Sequence, residues 1–145
     1  MRIYLDSCCF NRPFDDLSQD RIYYEALAVL TIIKKIIKND YHLVGSDIIE
    51  FEMAMTRDEE KRENMRELYS LVDDIVEYNN DIELRAKELR ESSGMELMDS
   101  LHIAGAEYAQ ADIFLTTDDK LIKKCKPMPF SMRIMNPVSY IMESI

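Results

Sequence analysis

Two hydrophobic periods run along this 145-residue chain. Short β-rich runs read as strands at Arg2 to Leu5, His42 to Gly45, Ile75 to Tyr78, Asp112 to Leu115 and Met132 to Met135. Between them the apolar spacing becomes helical. A long helix is predicted from about Ser18, a good N-cap, to about Lys38, where Asn39 and Asp40 stop it. Ser46 caps a helix from Asp47 to about Met55, and Asp58 caps one from Glu59 to about Val72. Further helices run from Asp81 to about Glu91, from Glu96 to Ala109, from Asp118 to Cys125 and from Pro137 onward. Ser7 to Asp16, with Asn11, Pro13 and two Asp, reads as a loop. Strands alternating with helices predict one α/β domain over residues 1–145, built on a mainly parallel sheet.

The long helix has a second property. Apolar residues from Ile22 to Ile37 cover most of its circumference. A helix apolar nearly all round is buried on more than one side. One side faces the sheet; the other needs the terminal helix, a partner, or a second copy in a homodimer. No membrane span is expected, because the apolar stretch Ala26 to Ile33 is far short of the roughly 20 residues required. Without a signal-like start, the expected location is the cytoplasm. Three cysteines, two of them adjacent and none in CxxC spacing, read as small buried thiols.

Net charge is −10, which alone argues against a general nucleic-acid binder. The distribution changes that picture. No Asp or Glu occurs from Lys120 through Met142, whereas Lys120, Lys123, Lys124, Lys126 and Arg133 do. Such a pattern places a basic rim beside an acidic cavity.

Four acids stand where chemistry is expected. Asp6 ends the first strand, and open α/β sheets bind ligands beyond the carboxyl ends of their strands. Its plainer role is to cap a turn. Glu52 has Ile48, Ile49, Met55 and Thr56 as helical neighbours, so it points along an apolar stripe. A carboxylate there is costly unless paired or metal-bound, or unless it reaches water at the stripe's edge. Asp99 repeats the anomaly in an otherwise apolar helix, with His102 one turn on. That histidine reads either as a satisfied structural residue or as a holder of Asp99 or a phosphate. Asp118 follows the fourth strand and also suits a helix cap. Converging carboxylates repel one another and raise at least one pKa. A divalent cation relieves that repulsion, and oxygen ligands suit Mg²⁺ or Mn²⁺ better than zinc.

The segments carrying these acids resemble a PIN domain, the nuclease fold of the VapC-type toxins. Ile3-Tyr4-Leu5-Asp6-Ser7 resembles its opening; Val44-Gly45-Ser46-Asp47-Ile48-Ile49-Glu50-Phe51-Glu52 resembles the strand and helix that bring the second acid. Asp99-Ser100-Leu101-His102-Ile103-Ala104 is close to the third motif, and Phe114-Leu115-Thr116-Thr117-Asp118-Asp119 supplies the fourth acid. The motifs keep the family's order across almost the whole chain. The resemblance implies a three-layer α/β/α fold with about five strands, Mg²⁺ or Mn²⁺, and hydrolysis of RNA phosphodiester bonds. It implies catalytic roles for Asp6, Glu52, Asp99 and Asp118, with Asp6, Asp99 and Asp118 as metal ligands. Ser7 and Thr116 match hydroxyls that hold a carboxylate or a water; Asp119 stands ready to share the role of Asp118; Arg12 and Lys120 are expected near phosphates. RNA and an antitoxin protein are the partners implied. Two rivals are a catalytically silent PIN-like binding domain and a haloacid-dehalogenase-type phosphatase. The latter wants a second Asp where Cys8 stands.

Overall fold

The computed structural model describes residues 1–145. Its strands are β1 (Arg2–Leu5), β2 (His42–Ser46), β3 (Asp74–Val76), β4 (Ile113–Leu115) and β5 (Arg133–Met135). They form one all-parallel sheet in the order β3-β2-β1-β4-β5. The helices are α1 (Ser7–Asn11), α2 (Asp20–Ile37), α3 (Asp47–Ala54), α4 (Glu59–Tyr69), α5 (Asn80–Ser93), α6 (Leu97–Tyr108), α7 (Asp119–Cys125) and α8 (Pro137–Ser144). The strand order reverses direction at β1. Right-handed crossovers therefore place α2 on one face and α5, α6 and α7 on the other. α8 packs back onto α2. The result is the expected three-layer α/β/α fold.

Burial follows the pattern of a sheet covered on both faces. Ile3, Tyr4 and Leu5 of β1 and Ile113, Phe114 and Leu115 of β4 are all buried, without alternation. Ala26, Val29, Ile32, Ile33 and Ile36 turn α2 into the core, while Tyr23, Tyr24, Leu27, Leu30 and Ile37 remain exposed. The terminal helix thus covers only part of the remaining apolar surface of α2. Gly45 is required by close packing: a Cβ there would collide with Val72 and the Tyr69 ring. No helix is long and apolar enough to cross a membrane.

Local chemistry moved several expected boundaries. The predicted loop after β1 is a helix, α1, followed by a 3-10 turn at Arg12–Phe14. Asp6 starts α1 by accepting the Ser7 amide at 2.8 Å. α2 starts at Asp20 because the Ser18 amide is held by Asp16 at 3.0 Å in a preceding turn. β3 lies slightly earlier than expected. The Tyr78 amide donates to the Asp47 carboxylate, which draws the chain away from the ladder after Val76.

Candidate functional site

Four segments converge beyond the carboxyl ends of the central strands. β1 delivers Asp6, α3 delivers Glu52, the first turn of α6 delivers Asp99, and the residues after β4 deliver Asp118. All four line one open cavity of about 300 Å³, with Ser7, Cys8, Asn11, Thr56 and Met65. No Lys or Arg lines it. Four carboxylates therefore meet there without a Lys or Arg among them, and His102 stands behind them against Glu52.

Each acid is held differently. Asp6 is buried; one oxygen accepts the Ser7 amide at 2.8 Å and the other accepts the Thr116 hydroxyl at 2.8 Å. The Asp6 amide donates to Leu115 O at 2.9 Å, so β4 fixes its backbone. Asp6 thus caps α1 and also lines the cavity. Glu52 Oε1 accepts the Ser7 hydroxyl at 2.7 Å and also meets His102 Nε2. Asp118 Oδ1 caps α7, accepting the amides of Lys120 at 3.0 Å and Leu121 at 3.2 Å. Asp99 makes no side-chain hydrogen bond and no salt bridge, although it is half-buried.

The electrostatics follow. Burial, then the charges of Asp6, Asp118 and Glu96, push the Asp99 carboxyl up to about 6 against the opposing effect of His102. Burial would also raise Glu52. The hydrogen bond and charge of His102, with the Ser7 hydroxyl, outweigh it and leave Glu52 below the usual range. Burial would lower His102, but the Glu52 hydrogen bond and the charges of Asp6, Glu52 and Asp99 leave it raised. The ligand atoms of Asp6, Glu52 and His102 lie within 4.8 Å of one another, close enough to share one ion.

Other expected residues are sorted by their contacts. Ser7 and Thr116 each hold one of the acids. Asp119 turns away from the cavity and forms a two-pronged pair with Arg21, both bonds 2.7 Å. Arg12 is also directed elsewhere. Its guanidinium bonds Asp15 at 2.9 Å and the Thr117 hydroxyl at 2.8 Å, and lies 3.2 Å from buried Glu25. These contacts hold the guanidinium against Asp15, Thr117 and Glu25. Lys120, Lys123 and Lys126 are exposed and line a surface hollow beside α7. His102 holds Glu52, not Asp99. The Tyr4 hydroxyl, which meets Ser46 and His102, has no signal in the sequence, because a tyrosine within a buried strand does not reveal its hydroxyl's partner.

The family model of the PIN domain matches residues 3–127. The chain belongs to the PIN-domain family. No curated protein sequence matches it. Among solved structures it resembles FitAcB from Neisseria gonorrhoeae, with a TM-score of 0.63 and 16% identity over 93% of this chain and 97% of the other. It also resembles VapBC2 from Rickettsia felis bound to a DNA fragment from their promoter, with a TM-score of 0.61 and 17% identity over 94% of this chain and 98% of the other. A toxin–antitoxin complex from Klebsiella pneumoniae gives a TM-score of 0.57 and 20% identity over 93% of this chain and 97% of the other. At these identities the likeness is one of fold.

The donor set of this PIN domain fits a divalent cation. Its oxygens are mostly hard carboxylate donors, and Asp99 has no partner to offset its charge. An ion among them would remove the repulsion that raises the Asp99 pKa.

Proposed function

We propose that this PIN domain is a metal-dependent endoribonuclease and the toxin of a toxin–antitoxin pair. The observation that carries the reading is the half-buried, unpaired Asp99 facing Asp6 and Asp118 in a cavity without a basic residue. A fold does not select for such an arrangement, since uncompensated charge costs stability. It also argues against a silent binding domain, which has no use for it.

Asp6, Asp99 and Asp118 would hold Mg²⁺ or Mn²⁺. When bound, the ion neutralises charge on the phosphodiester and lowers the pKa of water. Glu52 completes the pocket as the acceptor for the proton of the attacking water. Ser7 and Thr116 keep Glu52 and Asp6 in place. Lys120, Lys123 and Lys126 form the side along which the RNA phosphates approach. Cleavage breaks one P–O bond of the backbone and forms one from phosphorus to the water oxygen; Glu52 takes the water's proton, and the departing ribose oxygen gains a proton from solvent.

The partners follow from the same reading. The exposed Tyr23, Tyr24, Leu27 and Leu30 of α2 support an interface with a second copy or with an antitoxin. One of the similar structures is named as a toxin–antitoxin complex. The free thiols Cys8, Cys9 and Cys125 suit the cytoplasm.

Incubation of the purified chain with RNA and with a small phosphomonoester, in Mn²⁺ and in EDTA, tests the activity. RNA cleavage that requires Mn²⁺ is expected, without turnover of the monoester. Hydrolysis of the monoester alone would favour the phosphatase. Calorimetry should find one weak Mn²⁺ site that Asp6→Asn removes; equal binding in the variant would take Asp6 out of the ligand set. Sedimentation equilibrium tests the dimer, which a monomer across a wide concentration range would defeat.

A further inference from the structure

Behind the acidic cavity a chain of buried groups leads into the sheet. Ser46 Oγ accepts the Ile49 amide at 3.1 Å as the cap of α3. Its oxygen lies 2.7 Å from the Tyr4 hydroxyl, and that hydroxyl lies 2.7 Å from His102 Nδ1. On the other side of the imidazole, Nε2 meets Glu52 Oε1 and stands 3.7 Å from Asp6 Oδ1. Tyr4 and Ser46 are fully buried and His102 is 1% exposed. The Tyr4 ring is clamped by Phe114, stacked at 5.3 Å between centroids. Three elements, β1, the end of β2 and α6, thus combine to orient one imidazole.

The direction of the hydrogen bonds can be worked out. Nε2 faces two carboxylates and must present a hydrogen to them, since a bare lone pair would add repulsion. In the neutral ring Nδ1 is then an acceptor. In that neutral form the Tyr4 hydroxyl donates to Nδ1, the Ser46 hydroxyl donates to the Tyr4 oxygen, and the Ile49 amide donates to Ser46; in the imidazolium Nδ1 donates to Tyr4 instead, and Nε2 keeps its hydrogen. Each donor has one acceptor along the whole line. A buried network satisfied at every member is rigid.

We propose that Tyr4 and Ser46 fix His102 as an Nε2–H donor, and that His102 is a positioning residue and not a metal ligand. Its target is Glu52. Oε1 takes both the Ser7 hydroxyl and His102 Nε2, while Oε2 makes no bond within the protein. Glu52 therefore offers the cavity one oxygen at a set angle. A single free oxygen can bind an ion or accept a proton from a water bound to it, and either needs that fixed angle. The inference rests on the metal-dependent reading of the cavity.

Nitrogen-detected or long-range ¹H–¹⁵N NMR on the full chain reads the tautomer directly, with His102→Gln assigning the signals. His102 Nε2 should carry hydrogen both without ion and with Mg²⁺. An unprotonated Nε2 in Mg²⁺ would make His102 a ligand and overturn the proposal. Tyr4→Phe should mix the tautomers and weaken Mn²⁺ binding in calorimetry; an unchanged tautomer and affinity would also overturn it. His102→Leu should weaken Mn²⁺ binding by ~10-fold, the size of loss seen when a group orienting a metal ligand is removed. His102→Gln, which keeps an N–H at similar reach, should restore most of that loss. Equal losses in the two variants would leave no role for the donor. If His102→Leu fails to fold, Tyr4→Phe carries the test alone. None of these readouts needs RNA, so an inactive parent protein would sink the nuclease reading and leave this inference to its own result.

Discussion

Two groups of acids lie side by side in this molecule and have opposite fates. Glu25, on α2, is 2% exposed, more deeply buried than Asp6 at 7%. Yet Glu25 is fully compensated: Arg12 and Arg21 each approach to 3.2 Å, and Asn136 donates at 2.6 Å. Around it, Asp15 pairs with Arg12 and Lys61, and Asp119 with Arg21. Asp99, only half-buried, has none of this. Burial of a carboxylate therefore does not mark a site. Burial without compensation does, because folding alone gives no return for it. The first group ties α2 to the 3-10 turn, α7 and the start of α8; the second leaves its charge available to a ligand.

The largest expected effect breaks the uncompensated group. Asp99→Asn should reduce Mn²⁺-dependent RNA cleavage by ~100-fold or more, as when a preorganised charge-stabilising group is lost. Gel assays at saturating Mn²⁺ measure it. An active variant would remove Asp99 from the chemistry. The compensated group should respond in the other quantity. Glu25→Gln leaves two guanidinium groups without their buried partner, and should cost about 3 kcal/mol of stability in urea unfolding. Its cleavage per folded molecule should stay close to that of the parent. A stable but inactive Glu25→Gln protein would erase the distinction between the two groups.

Stability against pH sharpens the contrast further. In EDTA the folded chain holds the Asp99 proton up to about 6, whereas the unfolded chain releases it near 3.8. Between those values the folded state binds more protons, so stability falls as pH rises through the window. The full shift would correspond to about 3 kcal/mol, which water in the open cavity screens to about 1 kcal/mol. Asp99→Asn should therefore be more stable than the parent at pH 7 by about 1 kcal/mol, with the difference closing below pH 4. Saturating Mn²⁺ should reverse the order, since only the parent gains binding energy. Thermal melts at pH 4 and pH 7, with EDTA and with Mn²⁺, check each part. A parent more stable than the variant in EDTA at pH 7 would mean that Asp99 has a structural partner.

How much of this was legible depends on how local each signal is. The strands, most helix caps and the four cavity acids stand out in the sequence, because period, cap chemistry and strand ends are local properties. Helix α1 was hidden because Asn11 and Pro13 carry turn signals, while its start depends on one side chain, Asp6, folding back on Ser7. The fate of Arg12 was illegible for a different reason. Its partners Asp15, Glu25 and Thr117 come from three separate stretches of chain, and only the tertiary fold joins them. Tyr4 and Ser46 illustrate the same limit. Their burial and cap role follow from pattern, but the bonds from Ser46 to Tyr4 and from Tyr4 to His102 join residues 42 and 98 positions apart.

The smallest expected effect separates two adjacent residues that the sequence leaves interchangeable. Asp118 and Asp119 both follow β4, and both suit the start of a helix. In the fold they part: Asp118 lines the cavity while its Oδ1 caps α7, and Asp119 reaches outward to Arg21. The Arg21 pair holds the Asp119 carboxyl below its usual range, but both side chains are more than half exposed. Exposed pairs of this kind contribute little, and salt weakens them further. Asp119→Asn should therefore leave RNA cleavage unchanged and hardly move the melting temperature. Asp118→Asn should lose most cleavage, and Mn²⁺ affinity with it, while the Asn side chain still caps α7. Parallel assays of the two variants make the comparison within a single peptide unit. If Asp119→Asn were the inactive one, the outward pair with Arg21 would not be the working state of the site.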